Sequence, residues 1–245
     1  MTGETPTVAV FRPDDERVAA AVDLLDDLGA TALADPMLSV DPCDATPRSD
    51  ADYVVLTSKT GVELAAGAGW DPGEATVCAI GETTADALEA HGYAVGVIPE
   101  TYTSAGLVDA LTPEVDGARV EVARSDHGSA VLLDGLDDGG AYVHETILYR
   151  LVRPESAGDA AERAAEGALD AALFTSSLTV EHFLAAADER GIREVAIAGL
   201  SDAVVGAIGD PTRETAEAAG IPVDVVPATA DFEVLAQDVV DRLDA

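Results

Sequence analysis

The sequence predicts an α/β protein with two similar doubly wound parallel-sheet lobes, a two-stranded antiparallel connector and a cleft between the lobes. Three observations support this prediction. Short apolar runs alternate with patterns of helical period along the 245 residues. One α/β unit occurs twice, and two further strand-like segments follow corresponding helices. Uninterrupted apolar runs are typical of parallel strands that are covered on both faces.

The predicted strands are short runs rich in Val, Ala, Ile and Leu. They lie at residues 8–11, 53–56, 76–80, 95–98 and 120–123. Apolar residues at helical spacing predict helices at residues 18–28, 84–90 and 104–111. Gly29 directly follows the first of these helices and is a typical C-terminal cap, because glycine readily adopts the left-handed conformation.

Three segments of the chain recur, each at its own offset. They are 79–84 with 207–212 (offset 128), 52–58 with 170–176 (offset 118) and 8–12 with 120–124 (offset 112). Repetition of strand and helix starts at such distances indicates two copies of one supersecondary unit. The sequence therefore predicts a duplicated α/β unit.

The boundaries of the two lobes need not coincide with the boundaries of the two sequence repeats. Residues 35–41 and 143–152 both follow corresponding helices and have strand-like character. If they pair as antiparallel connectors, the chain leaves the first lobe, builds the second and returns. The predicted division is a discontinuous first lobe (1–36 plus 153–245), a second lobe (43–148) and connector strands (37–42 and 149–152). Ligands of α/β proteins bind at strand carboxyl ends and between domains, so we expect the cleft to hold the site.

The charge of the chain excludes several kinds of partner. The sequence has 47 acidic and 13 basic side chains, a net charge of −34, and Lys59 is its single lysine. This balance argues against nucleic-acid and anionic-membrane partners, which require basic surfaces. We interpret it as adaptation to high salt, where a Debye length of about 3 Å screens self-repulsion. Without a signal-peptide pattern or a membrane-length apolar run, we expect a cytoplasmic protein. We also expect it to be a monomer.

Hydroxyl side chains recur where predicted strands end and helices begin. Ser58 and Ser176 occupy one repeated strand end, and Thr84 and Thr212 occupy a second repeated turn. One interpretation is that they only cap helix N-termini. The other is that they form anion sites together with free backbone N–H groups.

Basic side chains are scarce, so their positions are informative. Arg12 and Arg124 occupy equivalent strand ends in the two copies, and Lys59 follows Ser58. Their retention at strand ends favours an anionic ligand. The alternative is that they form ion pairs with the abundant carboxylates.

Motifs for other chemistries are missing from the sequence. The dinucleotide pattern G-x-G-x-x-G, the phosphate loop G-x-x-x-x-G-K-[ST] and the nucleophile pattern G-x-S-x-G do not occur. The four histidines lack metal-ligand spacing. The sequence therefore gives no support for a dinucleotide site, a nucleoside-triphosphate site or a histidine metal site.

The order, spacing and duplication of these segments resemble the uroporphyrinogen-III synthase family over nearly the whole chain. We interpret the chain as a salt-adapted, archaeal-type member. The segments that carry the resemblance are Arg12-Pro13, Leu56-Thr57-Ser58, Ala79-Ile80-Gly81, Tyr102-Thr103-Ser104, Leu148-Tyr149-Arg150, Phe174-Thr175-Ser176-Ser177 and Ala207-Ile208-Gly209.

The resemblance implies a cofactor-independent lyase that cyclises hydroxymethylbilane, a linear tetrapyrrole with eight carboxylates, to uroporphyrinogen III. Water is lost and the last pyrrole ring is inverted. Tyr149 matches the family tyrosine that donates a hydrogen bond to the departing hydroxyl. The implied substrate contacts are Arg12, Ser58, Lys59, Thr84, Thr103, Arg124, Ser176 and Thr212.

A different class also fits a duplicated α/β architecture. A non-catalytic two-lobed protein that binds a small anionic metabolite would use the same strand ends and basic side chains. Such receptors are usually exported, and the absence of a signal pattern favours the synthase.

Overall fold

The structure, a computed structural model, describes residues 5–243. Residues 1–4, part of the N-terminal stretch searched for a signal pattern, and residues 244–245 lie outside the described residues. The chain divides into two compact units, one made of Met1–Ser39 with Val152–Ala245 and the other of Val40–Leu151. We call them unit 1 and unit 2.

Residues 5–243 form ten strands and ten helices. The strands are β1 (Thr7–Phe11), β2 (Thr31–Ala34), β3 (Ser39–Pro42), β4 (Tyr53–Leu56), β5 (Thr76–Ala79), β6 (Val95–Val97), β7 (Arg119–Ser125), β8 (Tyr142–Val152), β9 (Ala171–Phe174) and β10 (Val204–Ala207). The helices are α1 (Glu16–Asp27), α2 (Lys59–Gly67), α3 (Glu82–Ala90), α4 (Ser104–Leu111), α5 (Ala130–Asp138), α6 (Asp159–Ala165), α7 (Ser177–Glu189), α8 (Arg193–Leu200), α9 (Asp210–Ala218) and α10 (Phe232–Leu243). Every helix within residues 5–243 is too short or too polar to cross a bilayer.

Unit 1 contains a four-stranded parallel sheet in the order β10-β9-β1-β2. Successive side chains of a strand point to opposite faces, and in β1 both sets are buried. Phe11 packs on one face against Phe174, with ring centroids 4.6 Å apart. Val8 and Val10 belong to the core on the other face. Burial on both faces explains why this strand is apolar without interruption.

Unit 2 contains the six-stranded sheet in the order β3-β8-β7-β4-β5-β6. Its pairs from β8 to β6 are parallel, and β3 is hydrogen-bonded to β8 at the edge. Cys78 lies in the core, and burial raises the pKa of its thiol to about 12. The predicted class, an α/β fold with parallel sheets, is confirmed.

The strand pairing of the two units follows the sequence repeats. In unit 1 Val8 pairs with Ala171, and in unit 2 Val120 pairs with Tyr53. Residues 8 and 120 differ by 112, and residues 53 and 171 differ by 118, which are two of the repeat offsets. The β10–β9 and β5–β4 pairs agree in the same way at offset 128.

Some elements differ from their predicted bounds. The strand β2 was not predicted, because its four residues lie at a sheet edge and are only partly buried. The strand-like segment 35–41 forms a strand only from Ser39 onward. Residues 143–148 and 149–152 belong to one continuous strand, so the predicted boundary between lobe and connector falls inside β8.

Candidate active site

In unit 2, a tyrosine and a serine meet at the carboxyl end of the sheet. Ser58 follows β4 and is the N-cap of α2, with its Oγ accepting a hydrogen bond from Gly61 N at 3.0 Å. Tyr149 in β8 is only 6% exposed, and its hydroxyl oxygen lies 3.0 Å from Ser58 Oγ. Either hydroxyl is able to donate in this bond.

Asp126 holds the backbone that directly follows the tyrosine side chain, from the Tyr149 carbonyl to the Leu151 amide. Its N–H donates to Tyr149 O at 3.2 Å, and its Oδ1 accepts from Leu151 N at 3.1 Å. The same Oδ1 lies 2.8 Å from His127 Nδ1. Burial alone would raise the pKa of Asp126, but the bonds from His127 and Leu151 lower it. Asp126 therefore stays ionised and fixes the end of β8.

Arg124 is engaged by the protein. Its Nε donates to Glu145 Oε1 at 2.6 Å and its Nη1 to Ser129 O at 2.5 Å, and the side chain is buried. Gly128 makes room for it, because a Cβ there would lie 2.4 Å from Arg124 Cδ. The ion-pair interpretation therefore describes Arg124, which would have to release Glu145 to bind a ligand carboxylate.

In unit 1, the corresponding strand ends surround a cavity of about 550 Å³. Arg12 follows β1 and lines the cavity together with Ser176, Leu38 and Phe232. The Arg12 guanidinium carbon lies 4.4 Å from the centre of the Phe232 ring, a cation–π contact. Burial lowers the pKa of Arg12, and the nearby Arg17 lowers it further. Even so, an arginine remains charged.

Nine of the thirteen basic side chains form ion pairs in residues 5–243, and four form none within that range: Arg12, Arg150, Arg163 and Arg242. Among these four, Arg12 is the one that lines the cavity in unit 1. Lys59 is different: it is 59% exposed and lies 3.6 Å from Glu63 one helical turn away. The ion-pair alternative therefore describes Lys59 but does not describe Arg12.

The predicted hydroxyls divide into two groups. Ser58, Thr103 and Ser176 are N-caps whose oxygens accept backbone N–H groups. Thr103 is a cap that was not predicted, and the prediction of capping is confirmed for Ser58 and Ser176. For Thr84 and Thr212 it is wrong: both are buried third residues of their helices. Glycines occupy those two N-caps, and no side chain accepts the first N–H groups there.

Equivalent strand ends in the two units carry different side chains. Pro13 pairs with Leu38 in unit 1, and Ser125 pairs with Tyr149 in unit 2. The repeat offset of 112 relates Pro13 to Ser125, and 111 relates Leu38 to Tyr149. Leucine in unit 1 thus takes the place that the tyrosine has in unit 2.

Sequence reasoning did not select Asp126 or Phe232. The repeat could have drawn attention to Asp126, because Asp126 follows Arg124 by two residues as Asp14 follows Arg12. Phe232 carried none, since its contact with Arg12 joins residues 220 positions apart.

Hydroxyls, helix N-termini and basic side chains at the carboxyl ends of parallel strands are typical of one class, the α/β proteins that bind anionic organic ligands. Within that class, the chain belongs to the uroporphyrinogen-III synthase family. The family model described as "Uroporphyrinogen-III synthase HemD" matches residues 19–237. The family predicted from the sequence is therefore confirmed.

Two curated relatives carry the same name. The putative uroporphyrinogen-III synthase of Methanothermobacter thermautotrophicus is 36% identical over 230 residues, covering 87% of this chain and 90% of that protein. The uroporphyrinogen-III synthase of Chlorobaculum parvum is 29% identical over 171 residues, covering 68% and 66%. These relatives favour a synthase over a non-catalytic binding protein.

Solved structures share the fold. A mutant uroporphyrinogen III synthase of Thermus thermophilus has a TM-score of 0.66 at 21% identity, covering 98% of both chains. The uroporphyrinogen-III synthetase of Helicobacter pylori also has a TM-score of 0.66, at 14% identity, covering 98% of this chain and 100% of that one. At these identities the likeness shows the fold alone.

Proposed function

We propose that this protein is a uroporphyrinogen-III synthase that cyclises hydroxymethylbilane to uroporphyrinogen III, with loss of water and inversion of the last pyrrole ring. The observation that carries the proposal is the buried Tyr149 hydroxyl, hydrogen-bonded to Ser58 at a strand end. It supplies a proton donor at the position where the family resemblance requires one.

Tyr149 is the proposed general acid. As the terminal C–O bond of the substrate breaks, the phenol proton passes to the departing hydroxyl, which leaves as water. An azafulvene cation remains. The last ring attacks it through its substituted α-carbon to give a spiro intermediate, the bond from that carbon to its methylene bridge breaks, and the bridge is bonded again at the ring's free α-carbon, which inverts the ring. The proton released from this second α-carbon returns to Tyr149. The protein's main task is to hold the flexible chain folded for this attack, which is catalysis by positioning.

Arg12 is the proposed partner of one substrate carboxylate. Its guanidinium lines the cavity in unit 1. Asp15 and Asp231 lie near enough to attract its charge, but neither forms an ion pair with it among residues 5–243, so an incoming carboxylate breaks no ion pair. Ser176 lines the same cavity at the start of α7, where the helix dipole favours an anion.

The structure supports the remaining proposed substrate contacts to different degrees. Thr84 and Thr212 mark helix starts without a side-chain cap. In α3 the N–H groups of Glu82 and Thr83 are available to carboxylates. The start of α9 offers fewer donors, because Pro211 has no N–H and Asp210 places an acid there. Thr103 is an exposed cap and contributes a hydroxyl. Lys59 and Arg124 are the weakest candidates, because protein carboxylates already engage them.

The finer architecture is also part of the proposal. The agreement of strand registers at the repeat offsets supports a duplicated unit. The antiparallel connector, the cleft, the monomeric state, the cytoplasmic location and the salt adaptation stay predictions.

The test is product analysis. Purified protein is incubated in molar salt with hydroxymethylbilane generated enzymatically, the products are oxidised, and isomers I and III are separated. We expect isomer III in excess over a protein-free control, in which spontaneous closure gives isomer I. Formation of isomer I alone would contradict the proposal.

A further inference from the structure

The hydrogen bond between Ser58 and Tyr149 assigns a task to the serine. We propose that Ser58 is a positioning residue rather than a substrate ligand: its hydroxyl donates to the Tyr149 oxygen while the phenol proton leaves. This inference rests on the proposed function, because it concerns the step in which Tyr149 protonates the departing hydroxyl.

The valences of Ser58 allow this bond. A serine hydroxyl has one proton and two lone pairs. One lone pair accepts Gly61 N–H at 3.0 Å, which leaves the proton free to donate across the 3.0 Å to Tyr149 Oη. When Tyr149 releases its proton, the negative charge develops on an oxygen that already has a donor within reach.

The start of α2 strengthens that donor. Ser58 caps a nine-residue helix, whose N-terminus carries partial positive charge. The Gly61 N–H bond also polarises the Ser58 hydroxyl, because hydrogen bonds in a chain reinforce one another. Tyr149 is buried, so its charge is not stabilised by bulk water. Ser58 thus couples the helix N-terminus to the phenol oxygen.

Unit 1 shows that capping alone does not require this arrangement. Ser176 stands at the equivalent strand end and caps α7 through a reciprocal pair of bonds with Thr179, each 3.2 Å long. Leu38 occupies the place of the tyrosine there. In α2 the residue at the Thr179 position is Gly61, which has no side chain to complete such a pair. Its missing Cβ would lie 3.1 Å from Ser58 Oγ.

The first experiment observes the bond itself in the full chain. Protein labelled with ¹³Cζ-tyrosine is compared by NMR, with the Tyr149 signal assigned by its loss in Tyr149→Phe. Ser58→Ala should move this signal. Ser129→Ala, which removes another N-cap bond in unit 2, from Val131 N at 3.3 Å, should leave it in place. An unmoved signal in Ser58→Ala would overturn the inference.

The second experiment separates positioning from binding. Ser58→Ala should lower kcat for isomer III by about 10- to 100-fold, as expected for losing a hydrogen bond to a charged group, with KM changed less than about threefold. Ser58→Thr should restore most of kcat, and Ser129→Ala should keep the wild-type value. In the Tyr149→Phe background, Ser58→Ala should cause no further loss.

A rise in KM without loss of kcat, or losses that add fully in the double variant, would show that Ser58 contacts the substrate directly and would overturn the inference. Formation of isomer I alone by the wild-type protein is a different result. It would reject the proposed function, and with it the catalytic task of Ser58.

Discussion

Replacing Asp35 by Ala should destabilise unit 1 far more than loss of an ordinary helix cap. The side chain is 3% exposed, and its carboxylate accepts from Gly158 N at 3.0 Å and from Ala160 N at 2.8 Å. Gly158 precedes α6 and has no side chain to cap it. Asp35 therefore caps a helix from more than 120 residues away.

The magnitude follows from these bonds. Each buried N–H left without an acceptor costs about 1–3 kcal/mol, so two cost about 2–6 kcal/mol. Removing the buried carboxylate recovers part of this cost, because burial opposes its charge and raises the pKa of Asp35. We expect a net loss of about 2–4 kcal/mol, a large share of the roughly 5–15 kcal/mol of a typical domain.

The assay is urea unfolding in molar salt, followed by circular dichroism, with the free energy of unfolding extrapolated to zero urea. The matched control is Asp15→Ala. Asp15 caps α1 through Arg17 N at 2.9 Å, and it is more exposed than Asp35, so the control should lose about 1 kcal/mol. If Asp35→Ala loses no more than Asp15→Ala, the reasoning from buried bonds is refuted.

Four further predictions concern charge and catalysis. Burial raises the pKa of Asp35, so the folded state holds this proton more tightly than the unfolded state does. The unfolding free energy of the wild type, measured relative to that of Asp35→Asn, should therefore fall as the pH rises from below 3.8 through the pKa of the folded state. Tyr149→Phe should lower kcat for isomer III by about 100-fold or more with little change in KM, and unchanged turnover would remove its role as acid. Arg12→Gln should raise KM about tenfold in steady-state assays, and an unaltered KM would exclude a carboxylate contact. Thr84→Val and Thr212→Val, which remove only the hydroxyls, should each raise KM severalfold, and wild-type kinetics in both would exclude a substrate contact by either hydroxyl.

The fold was predictable because burial on both faces leaves a simple trace in the sequence. Strand β4 (Tyr53–Leu56) lies where the run of apolar residues predicts it, and Gly29 ends α1 with a φ of 81°. Strand β2 escaped prediction because an edge strand that is only partly buried needs no apolar run. Strand existence was therefore easier to predict than strand ends.

The site was less predictable, because its decisive contacts join distant parts of the sequence. The hydroxyls of Ser58 and Tyr149 meet across 91 positions, and no local pattern encodes that meeting. The same holds for Arg124, whose pairing with Glu145 depends on the register of β7 and β8. Local rules also misassigned Thr84, because they did not reveal that Gly81 takes the N-cap.

The discontinuity of unit 1 has a consequence for how the chain folds during synthesis. Thr7 and Asp170, which are hydrogen-bonded at the start of β1 and β9, lie 163 residues apart. At about 5–20 residues per second, β1 waits roughly 8–33 s on the ribosome before its neighbour β9 is made. Unit 2 is one continuous segment and is complete before that neighbour emerges. The apolar β1 is therefore the segment most in need of chaperone protection, and slow translation between the two halves of unit 1 should lower the yield of folded protein.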